Sequence, residues 1–239
     1  MAPLRIPVRT LGSLLLKGFC PRCFWIQLHC ENKLPFQIQL PGIFSSIDAY
    51  GKNVVHSFFE QNKRLPPWFP GIGEVTGYVP SKQLHWSKFM VEHQETGVIL
   101  RGTPDDIFRL SDSSYHIVDY KTARVTETQD ELLPLYEVQL NAYAHICDVM
   151  GELAVSALSL IYLEPQTKLS DEKFNEVHGD SGFSLGFSAT LIGVERKPGG
   201  FIPELMRRAR EIYDQPTVPE GRDGCENCDL LRRLLNIAS

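Results

Sequence analysis

The clearest patterning in the chain runs from Leu100 to Lys121, where apolar and polar positions alternate on both sides of a short polar break. LRGTPDDIFRL and SYHIVDYK are rich in Ile, Val, Phe and Tyr, and SDSS between them carries turn chemistry. Gly102 to Lys121 therefore reads as a β-hairpin. Successive strand side chains point to opposite faces, which puts Ile117, Asp119 and Lys121 together and Val118 and Tyr120 on the other side. Asp105 and Asp106 oppose each other in the same way, so only one of them joins Asp119 and Lys121 from a regular strand.

The same patterning predicts the remaining elements. Ser13 to about Glu31 reads as a helix N-capped by Ser13, with Pro21 marking a break or a fresh start near Cys20. Ile38 to Gly42 is a Pro-bounded connection. Ser45 or Ser46 opens a second helix to about Arg64, with Val54, Val55, Phe58 and Phe59 on an apolar face and His56 and Glu60 on another. The run LPPWFPG is a rigid turn, and strands over 73–79 and 86–93 precede the hairpin. A helix follows from about Asp130 to Met150, with Pro134 near its first turn and Gly151 just past its end. Gln139 and Tyr143 share one edge of it, Tyr136 lies one turn earlier, and Leu133, Leu140, Ala144 and Cys147 form a separate stripe. The nearly continuous apolar run 152–165 predicts a central strand. A polar loop or insertion over 166–182, a strand over 183–196, a helix from Phe201 to Asp214 and a short terminal helix complete the chain.

With 239 residues and 43% hydrophobic content, the chain can bury a full core. We expect one domain over 1–239, with 11–31 and 215–239 as terminal arms. No apolar run approaches a membrane span, and Leu14 to Leu16 is too short for a signal peptide, so a cytoplasmic location without membrane contact is expected. The net charge of −5 does not mark a nucleic-acid binder. It does not exclude one either, because acids gathered at a metal site add to that count; Arg207, Arg208 and Arg210 are the best local basic cluster.

Two carboxylates beside a lysine suit a hard cation such as Mg²⁺ or Mn²⁺, with the ammonium activating a water or stabilising charge on a phosphoryl group. Cys20/Cys23 and Cys225/Cys228 are two CxxC half-sites, 202 residues apart from Cys23 to Cys225. Together they make a four-thiolate cage for zinc or an iron–sulfur cluster, joining the N- and C-terminal segments. Cys30 or His29 could replace a ligand, and Cys147 reads as core.

Gly102-x-x-Asp105, Asp119-Tyr120-Lys121 and Gln139-x-x-x-Tyr143, with an upstream Gly51-x₄-His56 and a CPR-aromatic segment at Cys20 to Trp25, resemble the PD-(D/E)XK nuclease superfamily. The likeness is to the RecB-like and CRISPR-associated RecB-like exonucleases. It implies an α/β, restriction-endonuclease-like core, a mixed β-sheet flanked by helices. It also implies that His56, Asp105, Asp119 and the Tyr120 carbonyl bind Mg²⁺ or Mn²⁺ and that Lys121 assists the attacking water. Gln139 and Tyr143 would position DNA or support Lys121, with Asp106 as rival to Asp105. The implied activity is a metal-dependent deoxyribonuclease, exonuclease rather than endonuclease, in repair, recombination or CRISPR-type processing. A helicase partner would have to unwind DNA for it. In the resemblance the four cysteines hold a 4Fe–4S cluster, but its usual pattern is one N-terminal and three C-terminal cysteines, whereas this chain has two and two, a pattern that also admits Zn²⁺. A binding module without turnover, or a protein organised only around the cysteine site, are the alternatives.

Overall fold

A five-stranded sheet forms the centre of the molecule. The structure, a computed structural model, describes residues 3–31, 42–124, 126–168, 170, 177–180 and 182–238. Across the sheet the strands are Phe187–Val194, Val155–Pro165, Tyr115–Lys121, Asp106–Leu110 and Val75–Tyr78; in chain order these are β10, β7, β6, β5 and β2. β6 and β7 run parallel and the other neighbours antiparallel. The run that predicted a central strand is β7, paired on both sides, which is why its apolar residues continue without alternation. The parallel β6–β7 step requires a crossover, and the helix Glu127–Met150 (α4) supplies it.

The two faces of this sheet bury separate cores, and the period of two sorts residues between them. Ile107, Ile117, Leu158 and Leu160 pack toward α4 residues such as Val138 and Leu140, together with the helix Phe201–Tyr213 (α5). Phe108, Val118, Tyr120, Ile161 and Leu163 pack on the other face toward Val55 and Phe59 of the helix Gly42–Asn62 (α3). Asp119 follows Ile117 toward α4. Asp106, directly opposite Val118 across the hairpin, faces α3.

A smaller sheet, in the order Leu4–Pro7 (β1), Val98–Arg101 (β4) and Met90–His93 (β3), lies against the first core. The expected continuous strand through LRGTPDDIFRL is therefore two strands in two sheets. Gly102, Thr103, Pro104 and Asp105 separate them, and Pro104 has no N–H for a ladder. The expected strand over 86–93 shrinks to Met90–His93, because residues 81–89 are turns.

The expected N-terminal helix is replaced by three pieces: α1 (Val8–Gly12), a 3₁₀ turn at Ser13–Leu15 and α2 (Pro21–His29). Ser13 closes α1 instead of capping a helix start, and its hydroxyl donates back to the Thr10 carbonyl at 2.7 Å. Pro21 does open α2 at the first-turn position that proline favours. α4 begins at Glu127, earlier than expected, and ends at Gly151 in the left-handed conformation with φ 73°. The connection expected at Ile38 to Gly42 lies outside the described residues except for Gly42, as does part of the 166–182 loop. The described part of that loop pairs His178–Gly179 (β8) with Gly182–Phe183 (β9). A final helix, Glu226–Ala238 (α6), closes the chain. No helix among the described residues is long and apolar enough to cross a membrane.

Candidate active site

The end of the β5–β6 ladder places the acids. The ladder stops at Asp106 and Val118, so the Tyr120 N–H on β6 has no strand partner from β5. Asp105, just before β5, fills that place: its Oδ2 accepts the Tyr120 N–H at 2.8 Å. Its Oδ1 accepts from Lys52 Nζ of α3 at 2.7 Å. Burial pushes the Asp105 carboxyl up to about 6, and the neighbouring Asp119 charge adds to this while Lys52 opposes it. The two sequence acids are thus electrostatic neighbours, and their repulsion is what a bound cation would relieve.

Asp119 is buried at 3% exposure, on the α4 side. Gln139 Nε2 donates to its Oδ1 at 2.8 Å, and Lys121 Nζ lies 2.5 Å from its Oδ2. The Lys121 approach is a charge contact without hydrogen-bond geometry, so Oδ2 has no hydrogen-bond donor. Lys121 also rests over the Tyr136 ring, 4.1 Å from its centroid. Tyr143 accepts from Gln139 at 3.2 Å and donates to the Thr103 carbonyl at 3.1 Å. Burial and the Asp119 charge raise its pKa, keeping the phenol a donor. Gln139 and Tyr143 are both buried, and here Gln139 braces Asp119 rather than Lys121.

Gly102 has a packing reason to be glycine. A Cβ there would sit 2.5 Å from Tyr143 Cε1 and 2.9 Å from Val8 Cγ2, both in rigid surroundings. The loop carrying Asp105 and the helix carrying Gln139 meet at this point.

His56 stands apart from this cluster. Its Nε2 is 2.7 Å from Asp106 Oδ1, and its ring stacks on Tyr78 with centroids 4.2 Å apart. The Tyr120 hydroxyl donates to Asp106 Oδ2 at 2.8 Å. One residue, Tyr120, thus links the two acids: its backbone N–H serves Asp105 and its hydroxyl serves Asp106. Lys52 was not anticipated. The signal for it was the four-residue spacing Asp48–Lys52–His56–Glu60, a polar stripe along α3 whose members meet Asp105, Asp106 and Tyr78 in turn. Burial opposes the Lys52 ammonium, but Asp105 and Asp48 outweigh it and hold its pKa above the usual lysine value.

The four cysteines come together as their spacing suggested. Cys20 and Cys228 sulfurs are 3.5 Å apart, Cys23 lies 3.6 Å from Cys225 and from Cys228, and all four fall within 4.8 Å of one another. Among the described residues, no other group of three or more Cys, His, Asp or Glu is gathered so closely. Burial opposes ionisation of Cys20, but the N–H groups of Cys23 and Arg222 and the neighbouring thiols bring it down to about 6. Burial, with Cys20 and Cys225, pushes Cys228 up to about 11, against an opposing contact from Cys23. The donor set fits a thiophilic metal that would offset the charge of further thiolates. Cys30 is exposed, and His29 is stacked between Trp25 and Tyr213, so neither substitutes in the cage. Cys147 is buried core, its thiol pushed up to about 12 by burial. Arg207 and Arg210 are paired with Glu204 and Asp214, while the exposed Arg208 meets only the Leu14 carbonyl and the Phe19 ring, so α5 presents one uncompensated guanidinium and not a cluster of three.

A sequence-family model, the PD-(D/E)XK nuclease superfamily, matches residues 56–233, most of the chain and every strand of the central sheet. The chain belongs to that superfamily. The resemblance drawn from the motifs and the mixed sheet between helices are both those of a PD-(D/E)XK nuclease. No curated protein matches the chain by sequence. Among solved structures, "Crystal structure of SSO0001" is similar with a TM-score of 0.43 and 15% identity, over 90% of this chain and 80% of that one. An alkaline exonuclease (LHK-Exo) from Laribacter hongkongensis is similar with a TM-score of 0.44 and 11% identity, over 98% of this chain and 95% of that one. Its complex with dAMP gives 0.40 and 11%, over 98% and 94%.

Proposed function

We propose that the protein is a divalent-metal-dependent deoxyribonuclease working at Asp105, Asp119 and Lys121. The observation that carries this is the carboxylate pair: Asp119 is buried, its Oδ2 has the Lys121 ammonium at 2.5 Å but makes no hydrogen bond, and its charge opposes ionisation of the neighbouring Asp105. Such a pair wants a hard cation. Bound there, Mg²⁺ or Mn²⁺ would supply an activated water and neutralise phosphate charge.

The chain's own residues do the rest. Asp105 is fixed by Lys52 and the Tyr120 N–H, and Asp119 by Gln139, so both acids are oriented before any ligand arrives. The Tyr120 carbonyl, carried between Asp119 and Lys121, is the further oxygen ligand in this reading. Lys121 keeps its ammonium against Tyr136 and Asp119, positioned to stabilise charge on a scissile phosphate or orient the attacking water. His56 either holds Asp106 as seen here or turns to the metal when it binds. Exonuclease action, a partner that unwinds DNA, and a role in repair, recombination or CRISPR-type processing follow from the RecB-like resemblance. The four-cysteine site holds a metal as a structural tie between α2 and α6.

The test is a cleavage assay with the protein and its Lys121→Ala variant on end-labelled linear and closed circular DNA, single- and double-stranded, with Mg²⁺, Mn²⁺ or EDTA. Metal-dependent cutting of linear DNA that the variant loses, while still binding DNA, is expected. Cutting that survives EDTA or Lys121→Ala refutes the site. Binding without cutting on any substrate makes the protein a DNA-binding module of this fold.

A further inference from the structure

We infer that the four-cysteine site holds a single tetrahedral Zn²⁺ ion and not the 4Fe–4S cluster that the family resemblance implies. The inference rests on the reading that the site is metallated and is independent of the nuclease chemistry.

Sulfur separation decides between the two. A Zn–S bond of about 2.3 Å gives a tetrahedron of sulfurs with edges of roughly 3.8 Å. A cubane puts each cysteine on a different iron, with four irons and four sulfides between them, and spreads the cysteine sulfurs to roughly 6 Å. The separations here are 3.5, 3.6 and 3.6 Å, with none of the ligand distances above 4.8 Å. They fit one ion and leave no volume for an inorganic core.

The backbone holds them at that spacing from two sides. Cys20 is the N-cap of α2 and Cys23 lies in its first turn; Cys225 directly precedes α6 and Cys228 lies in the first turn of that helix. Both pairs thus sit at helix N-termini, where the exposed N–H groups and the helix dipole favour thiolates. The loop before α6 closes over the sulfurs. The Arg222 N–H donates to Cys20 Sγ at 3.2 Å, and a Cβ at Gly221 would lie 2.8 Å from Cys228 Sγ. Opening the cage to cubane dimensions would move α2 and α6 apart and pull the loop off the Cys20 and Cys228 sulfurs it now covers. Four thiolates in a tetrahedron suit Zn²⁺, which also stands above Fe²⁺ in affinity for such a site.

The experiment gives both metals their chance. Protein produced in medium supplemented with iron and zinc is purified anaerobically, and its metal and acid-labile sulfide are quantified. We expect one zinc per chain, no sulfide and no visible colour. Replacing the zinc with Co²⁺ should give the intense visible bands of a tetrahedral cobalt–thiolate centre, and a Cys228→Ser variant should lose or weaken them. Iron in the site, with or without sulfide, overturns the inference while leaving the site metallated. Wild-type protein that carries neither metal and gives no cobalt spectrum overturns the metallated reading as well.

Discussion

Replacing Gln139 with methionine tests how Asp119 is prepared for a cation. The change keeps length and apolar bulk and removes the N–H that meets Asp119 Oδ1 at 2.8 Å. A hydrogen bond to a buried charged group is worth about 1.5–3 kcal/mol. If that orientation is spent on metal binding, Gln139→Met weakens the site by roughly 10- to 100-fold, at about 1.4 kcal/mol per tenfold. The assay is DNA cleavage as a function of Mn²⁺, with urea unfolding as a control for folding. The half-saturating Mn²⁺ should rise by about that factor, while the rate at saturating Mn²⁺ falls much less. Tyr143→Phe, which keeps the ring and removes only the hydroxyl that passes on to Thr103, should give a smaller shift of the same kind. An unchanged Mn²⁺ dependence in a folded Gln139→Met protein would falsify the idea that Gln139 positions the metal-binding acid.

Gly102→Ala forces a methyl into Tyr143 and Val8 and should cost about 1–3 kcal/mol, a drop in Tm of roughly 2–12 °C. Tyr143→Leu should recover part of that loss in the double variant, and additive effects would show that the contact is not the cause. His56→Ala leaves the buried Asp106 with only Tyr120 as partner and should lower stability by about 1–3 kcal/mol, read as an earlier urea midpoint; no shift would mean the pair contributes nothing. Burial lowers the pKa of His116 against a weak pull from the Ile72 carbonyl, so the unfolded chain takes up its proton first as pH falls. That contribution to stability is complete above the unfolded value of about 6.5 and is lost as pH falls through the lowered folded value. His116→Gln should therefore flatten the acid side of a Tm-against-pH curve, and an unflattened curve would place the acid sensitivity elsewhere.

The hairpin was legible because a period of two held through both strands, and that period alone shows that Asp105 and Asp106 face opposite ways. Which of them neighbours Asp119 was not legible. It depends on the ladder ending at Asp106 and on the Tyr120 N–H being left for a side chain, which is a property of two strands rather than one. α4 and the central strand were readable from long apolar patterns, whereas β1 is four residues whose partner β4 lies far along the chain. The α3 stripe was half read: the spacing of His56 and Glu60 is visible, but its extension to Lys52 gains meaning only once Asp105 is in place. Cysteine chemistry paired the two CxxC segments, yet spacing says nothing of sulfur separation, and that is where the resemblance and the geometry part.

The cysteine cage also sets how this molecule meets mechanical force. Cys23 and Cys225 lie 202 positions apart in the sequence, and the segment between them includes β5, β6 and both acids. If the cage holds the proposed metal, a machine threading the chain from the C-terminal side would unravel α6 as far as Cys228 and then pull on metal–sulfur bonds, before any load reached the central sheet. From the other side, β1 and α1 would give way first and the same clamp would follow. With the proposed metal in the cage, the force needed to begin unfolding the central sheet would include the force that opens the clamp, and a metal-free chain would lose that added resistance to threading.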